Sequence, residues 1–260
     1  MKKFERIIIA VILFIVIIGT YGAEMYRKYT APIIMYHNID KTADFHHLNG
    51  VSLKNFEMQM AFLKNHRYNV ISLDALEDMI TKQDAIPHNT VVLTFDDGYE
   101  DNYLRAFPIL KKYDLPATIF IIPEKIGTEQ YLTWEQVREM DKAGIMFGSH
   151  TLTEAYLPGV SNQEQIKEIK DSKRVIERKL GHPIYNICYP SGGFSDFTKE
   201  KVKELGYKAA CTTNRGYDKF NKDVYELNRV RFGDKDTSGV GIWGKLSGFY
   251  NFFRSPVDPY

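Results

Sequence analysis

From residue 90 onward, short apolar runs alternate with amphipathic stretches at helical spacing. The runs are TVVLTF (90–95), ATIFII (117–122), IMFGSH (145–150), IYNICYP (184–190) and YKAACTT (207–213). Between them lie NYLRAFPILKKY (102–113), TWEQVREMDKAG (133–144), NQEQIKEIKDSKRVIERKLG (162–181) and FTKEKVKELG (197–206). Largely apolar runs without a polar alternation predict strands buried on both faces, and the amphipathic stretches predict helices that cover them. Thr133 with Gln136 predicts a capping box, and Gly181 a helix stop. Upstream, PIIMYH (Pro32 to His37) predicts a first strand, and SLKNFEMQMAFLKNHRY a helix capped by Ser52. NVISLDALEDMI predicts a short strand and a short helix, and YELNRVRF (225–232) a last strand. The fold class is α/β with a parallel sheet; six or seven such units favour a barrel over an open sheet.

The first residues follow another pattern. MKKFER is basic, and Ile7 to Ala23 holds seventeen residues without a charge. That is the lower edge of a membrane-spanning helix, about 17 to 25 residues, and longer than a signal-peptide core of about 7 to 15. An uncleaved anchor is favoured, with a cleaved signal as the alternative. The division is a cytoplasmic basic tip (1–6), an anchor or signal segment (7–23), a spacer (24–31) and a barrel (32–260). The cations before the apolar run put the N-terminus in the cytoplasm and the barrel outside.

Composition narrows the partners. The formal net charge is +1, so no basic nucleic-acid footprint exists. Two cysteines exclude a disulfide framework; Cys188 and Cys211 are expected as buried neighbouring thiols, with one bridge as the alternative. No Gly-x-Gly-x-x-Gly follows the first strand, so a dinucleotide site has no support. A monomer is expected.

In α/β barrels, active groups sit at the C-terminal strand ends. Here these ends carry His37, Asp96 with Asp97, His150, Tyr189 with Pro190, and Arg229 with Arg231 on the last strand. Each alone has an ordinary reading: a strand-end aspartate is commonly a helix cap, and a lone histidine a packing residue. Adjacent carboxylates repel unless a cation separates their roles. A divalent metal can take one, leaving the other to act as base on the water the metal activates. Asp97, His150 and Glu154, the last placed one helical turn beyond His150, form a three-ligand set with an open position.

Around these residues the sequence resembles the polysaccharide deacetylases of carbohydrate esterase family 4, the NodB-homology domain. Thr94 to Gly98 reads Thr-Phe-Asp-Asp-Gly, and HTLTE (150–154) stands where that family has His-Ser/Thr-x-x-His. CYPSGG (188–193) resembles a Tyr-Pro-x-Gly third motif, AACTTNRGYD and LNRVRFGD resemble later motifs, and MYHNI resembles the branch of bacterial poly-N-acetylglucosamine deacetylases. The resemblance covers residue 32 to about 250, with its core motifs in 88–235. It implies a distorted (β/α)7 barrel and a divalent metal, zinc first and manganese or cobalt next, on Asp97 and His150. Asp96 would be the general base, and a backbone N–H near Tyr189 the oxyanion donor. His37, Pro190 and Gly192 are the expected substrate-binding positions. The substrate would be a polysaccharide containing N-acetylglucosamine, in the cell wall or exported, met by a single-pass membrane protein.

Three departures qualify that reading. Glu154 replaces the second metal histidine, which turns a net +1 centre into a neutral one and favours harder ions than zinc. Cys188 stands where many members have the arginine that steadies the base, so Arg229 or Arg231 is expected to reach that carboxylate instead. No histidine follows His182, so protonation of the leaving amine falls to Asp96 or His37. The alternatives are a catalytically impaired deacetylase fold that binds glycan, and an anchored barrel with another hydrolytic role. Tyr131 and Trp134 are read as helix-start packing before sugar contacts, FYNFF as a seal, and DFHH as a loop over the cleft.

Overall fold

A computed structural model describes residues 2–27, 29–40, 49–255 and 257–260; the DFHH loop lies outside the described residues. The strands are β1 (Ile33–Tyr36), β2 (Ile39–Asp40), β3 (Val51–Ser52), β4 (Asn69–Ile71), β5 (Thr90–Phe95), β6 (Thr118–Ile121), β7 (Met146–Ser149), β8 (Asn186–Cys188), β9 (Ala209–Cys211) and β10 (Val230–Arg231). The helices are α1 (Lys2–Arg27), α2 (Leu53–Asn65), α3 (Leu73–Lys82), α4 (Phe107–Tyr113), α5 (Trp134–Lys142), α6 (Asn162–Leu180), α7 (Asp196–Glu204) and α8 (Gly239–Leu246).

The main sheet runs β10-β1-β5-β6-β7-β8-β9, with β4 paired to the first half of β5. Every pairing in it is parallel. β5 is buried at all six positions, as expected of a strand with apolar contacts on both faces. The two ends of the sheet are linked by a single segment. Leu227 exchanges backbone hydrogen bonds with Ala210 of β9 and Thr212 just after it, and Val230–Arg231 pairs with β1. The result is a parallel half-barrel closed by a bridge. The long strand expected over 225–232 is therefore short: the chain crosses from β9 to β1 within it and stays beside neither.

Helix signals behave as their chemistry requires. Ser52 caps α2, Thr133 and Gln136 form the capping box of α5, and Gly181 closes α6 at φ 86°. The stretch 102–113 differs from a single α-helix. It opens with a wider π turn over Asn102–Ala106, in which the Phe107 N–H reaches the Asn102 carbonyl, just before Pro108. Proline has no N–H and crowds the carbonyl four residues back, so a wider turn suits this position. α1 is continuous, and residues 6–22 are exposed throughout. Among the described residues no helix is long and apolar enough to cross a membrane.

Candidate active site

β5 delivers its two aspartates through a tight turn. Asp97 (φ 73°) and Gly98 (φ 74°) are both left-handed. A Cβ on Gly98 would lie 2.8 Å from the Ile121 side chain, so only glycine fits there. The turn sends the two carboxylates to different neighbours, and both are nearly buried.

Asp96 faces Arg229, a fully buried arginine. Its two terminal nitrogens donate to Oδ1 at 2.7 Å and Oδ2 at 2.6 Å, a bidentate pair. Nε donates to the Thr212 carbonyl at 2.8 Å, and further contacts reach Thr94 Oγ1 at 3.1 Å and Cys188 Sγ at 3.0 Å. Burial alone would raise the Asp96 pKa, but Arg229 outweighs it and holds the carboxyl well below the usual range. Cys188 thus stands beside the guanidinium that arrives from the segment before β10. Arg231, two residues on, is exposed and lines the cleft without joining Asp96. Arg229 and Arg231, expected on one strand, are separated because the backbone crosses between strands at Arg229, whose N–H goes to the Thr213 carbonyl.

Asp97 faces His150, with His150 Nε2 3.4 Å from Asp97 Oδ1. His150 Nδ1 lies 2.9 Å from the Cys188 carbonyl, which fixes Nδ1–H as the donor and leaves Nε2 for the cleft. Burial opposes charging His150, yet Cys188 and the two carboxylates lift its pKa to about 10. Burial also pushes the Asp97 pKa up, only partly offset by His150.

Glu154 is brought to the same place, but by a loop. The helical turn expected between His150 and Glu154 does not form: Thr151 (φ 62°) and Glu154 (φ 69°) are left-handed, and no helix begins before Leu157. The loop is fixed from below. Buried Glu168, on α6, accepts the Leu152 and Thr153 N–H groups at 2.8 and 2.9 Å and the Thr153 hydroxyl at 2.9 Å. Ser149 Oγ accepts the Thr151 N–H at 3.0 Å. Donor atoms of Asp97, His150 and Glu154 lie within 4.8 Å of one another, as do those of Asp96, His150 and Cys188. The second set already surrounds Arg229, whose charge disfavours a cation there; the first set fits a divalent ion. Glu154 also pairs with Lys125.

The cleft holds about 470 Å³ and is lined by His37, Tyr99, Ser191, Thr213, Asn214 and Arg254 besides the acidic groups. His37 Nε2 is 3.9 Å from Asp96 Oδ2, and its Nδ1 is buried without a partner among the described residues. Burial lowers its pKa, more than Asp96 and Asp97 raise it. A larger groove of about 560 Å³ lies by Tyr29, Met79 and Ile86, near the N-terminal strand ends, and lacks this constellation.

Three expected residues sit differently. The Tyr189 N–H donates to the Cys211 carbonyl at 2.9 Å and its hydroxyl to the Tyr225 carbonyl at 3.0 Å, so Tyr189 has no donor left for an oxyanion. Pro190 and Gly192 are buried and shape the loop. A Cβ on Gly192 (φ 75°) would fall 2.4 Å from Thr213 Oγ1, which explains glycine there. Ser191 (φ 53°), between them, is the residue that lines the cleft. Cys188 and Cys211 are in-register neighbours and free buried thiols, their pKa values pushed up by burial to about 11 and about 12. Tyr131 stacks on Tyr99 at 5.1 Å, whereas Trp134 packs partly buried at its helix start.

Buried carboxylates of opposite electrostatic character, a fixed imidazole and a polar cleft at the strand ends define a hydrolase site on a parallel α/β scaffold. The chain belongs to the polysaccharide deacetylase family, hydrolases that act on carbon–nitrogen bonds: the family model "Polysaccharide deacetylase" matches residues 83–210. YxkH of Bacillus subtilis (strain 168), whose name assigns it to the polysaccharide deacetylases, is 36% identical over 200 residues, 77% of this chain and 70% of that protein. A poly-beta-1,6-N-acetyl-D-glucosamine N-deacetylase of Staphylococcus aureus (strain MSSA476) is 28% identical over 199 residues, 71% of this chain and 68% of that protein. The Streptococcus pyogenes deacetylase PplD, solved with acetate, superposes with a TM-score of 0.76 at 32% identity, covering 83% of this chain and 97% of PplD. The protein is thus a polysaccharide deacetylase related to poly-N-acetylglucosamine deacetylases.

Proposed function

We propose that this chain is a metal-dependent deacetylase that removes acetyl groups from an N-acetylglucosamine polysaccharide, tethered to the membrane by its N-terminal segment 7–23 with its cleft outside the cell. The observation that carries the chemistry is the division of labour at the end of β5: Asp96 locked on Arg229, Asp97 grouped with His150 and Glu154. When bound to Asp97, His150 Nε2 and Glu154, a divalent ion such as zinc, manganese or cobalt would supply Lewis-acid polarisation and acidify water. Asp96 stays ionised beside Arg229 and takes the proton as water adds to the acetyl carbon. As the carbon–nitrogen bond breaks, the amine is protonated by Asp96, now carrying that proton, or by neighbouring His37. The products are acetate and a free amine on the glycan. The Ser191 N–H, next to Pro190 in the cleft, is the oxyanion donor in this scheme.

Tethering is supported by the uncharged run Ile7 to Ala23, by the exposure of residues 6–22, and by the cations at Lys2, Lys3 and Arg6 that precede it. It is tested by protease treatment of intact cells: a barrel cut from outside supports the topology, and a fully protected one contradicts it.

The chemistry is tested by metal content and acetate release from β-1,6-linked and β-1,4-linked N-acetylglucosamine oligomers. Wild type is expected to bind one metal and turn over, and Glu154→Ala to lose both. A wild type that is empty and inert, while Glu154→His gains metal and turnover, would instead establish the glycan-binding reading.

A further inference from the structure

The Glu154–Lys125 pair has no evident role in stability. Both side chains are about one-third exposed, at 37% and 34%, and such pairs contribute about 0–1 kcal/mol. Glu154 nevertheless holds a left-handed backbone (φ 69°) that is costly for a residue with a Cβ. Lys125 is placed from two sides: its ammonium lies 5.2 Å over the Tyr131 ring, and that ring stacks on Tyr99 in the cleft wall. The Lys125 loop is tied to the Glu154 loop by the Glu124 N–H, 3.3 Å from the Leu152 carbonyl. Two loops from different strands are thus built to bring one cation to one carboxylate at the rim of the metal-type site.

The charge count gives this a purpose. Asp96 and Arg229 cancel, so they leave the sum at the neighbouring donors unchanged. A divalent ion on Asp97, His150 and Glu154 gives a neutral centre, because Glu154 adds a negative charge that a histidine would not. Lys125 returns one positive charge through that same carboxylate. A carboxylate has two oxygens, so one can face the cleft while the other keeps the ammonium.

We propose that Lys125 is a positioning and charge-compensating residue of the metal site, and that Glu154 with Lys125 acts as one unit replacing a neutral ligand. This rests on the metal-dependent reading of the site. It adds to that reading a residue outside the resemblance motifs, on the loop after β6.

The unit makes opposite demands on metal affinity and on turnover. Lys125 repels the incoming ion, so Lys125→Met should bind zinc more tightly, by about tenfold for unit charges screened at a partly exposed rim. The same variant, neutral at its centre, should lose about tenfold in kcat at saturating metal. Lys125→Arg keeps the charge and should match wild type in both. Lys125→Met with Glu154→His restores the wild-type net charge and should recover most of the turnover that Lys125→Met loses.

The experiment is zinc affinity of the full chain in detergent, by competition with a chelating dye after metal stripping, followed by kcat at saturating zinc. Tighter binding with slower turnover in Lys125→Met, and rescue in Lys125→Arg, support the proposal. Unchanged or weaker binding in Lys125→Met overturns it, since a mere holder of Glu154 would give that result. A wild type that binds no zinc overturns it as well. Should wild type bind zinc but release no acetate, the affinity arm still decides the electrostatic coupling, while the deacetylase reading fails on its own.

Discussion

Asp96 and Asp97 are neighbours in the chain, nearly equally buried, and placed in opposite circumstances. Asp96 accepts two hydrogen bonds from a guanidinium with no solvent exposure, within a core of Phe120, Cys188 and Thr94. Asp97 has an imidazole at 3.4 Å and, beyond it, the pair of Glu154 and Lys125, each about one-third exposed. One half of the site is closed and neutralised by the fold itself. The other gathers negative charge that the fold leaves for a ligand to neutralise. Two carboxylates of one type can therefore serve two functions, because environment sets the ionisation and the partner of each.

Removing Arg229 breaks this contrast most severely. Arg229→Met leaves a buried carboxylate without its cation, and loss of one partner from such a pair costs about 3–5 kcal/mol. Urea denaturation should show a loss of this size, with activity falling alongside as Asp96 becomes harder to ionise. Arg229→Lys should recover only part of it, because an ammonium cannot make the bidentate contact. A loss below about 1 kcal/mol would mean that the closed half is not closed.

Asp96→Asn comes next. It removes the proton acceptor, and kcat/KM should drop about 10²–10⁴-fold while zinc affinity stays within a few-fold of wild type. A large loss of zinc affinity would move Asp96 from the base to the ligand set and erase the division between the two aspartates.

The same pair sets a pH dependence. The folded-state pKa of Asp96 lies below its unfolded value, so its stabilising contribution is complete above the ordinary carboxylate range and declines as pH falls through that range and below. His37, with a pKa lowered by burial, adds a loss of stability in the same direction as pH drops below its ordinary 6.5. The gap in denaturation midpoint between wild type and Arg229→Met should thus narrow from pH 7 toward pH 3.

Support of the open half is weaker but measurable. Glu168 fixes the loop that carries His150 and Glu154 through three hydrogen bonds. Loss of such outer support typically costs about 10–100-fold in metal affinity. Glu168→Gln retains one acceptor oxygen and should sit near the lower end, read by the same dye competition; unchanged affinity would mean that the loop holds its shape without α6.

What could be read from the sequence follows the same division. The strands of continuous apolar residues, the capping box at Thr133 and the strand-end aspartates were legible because local spacing determines them. His150 was legible for the same reason, being the last residue of its apolar run. The partner of Asp96 could be narrowed only to Arg229 or Arg231. The choice depends on where the chain crosses from β9 to β1, which is a property of sheet closure. Glu154 was placed near His150 by helical spacing, and its proximity is met by a left-handed loop instead, held by a residue fourteen positions downstream. The resemblance placed the oxyanion donor only at a backbone N–H near Tyr189; pairing with β9 consumes the N–H of Tyr189 itself, and Ser191 is the neighbour that lines the cleft. Lys125 and Glu168 carried no signal, because their partners are set by the packing of loops and helices that are distant in sequence.

The smallest expected effect sharpens the comparison most. Glu154→Gln and Lys125→Met each break an ion pair that is about one-third exposed on both sides, and stability should change by less than about 1 kcal/mol. Arg229→Met breaks a pair exposed at 0% and 4%, with an expected loss several times larger. Both pairs join a carboxylate of the cleft to a single cation, so the ratio of the two losses reports burial together with the bidentate contact that Arg229 makes and an ammonium cannot. Thermal and urea midpoints of the three variants at one pH and ionic strength give that ratio directly. A loss at Lys125 comparable to that at Arg229 would make the rim pair a structural clasp. A near-zero loss there, with zinc affinity altered, leaves the rim pair no role other than at the metal site.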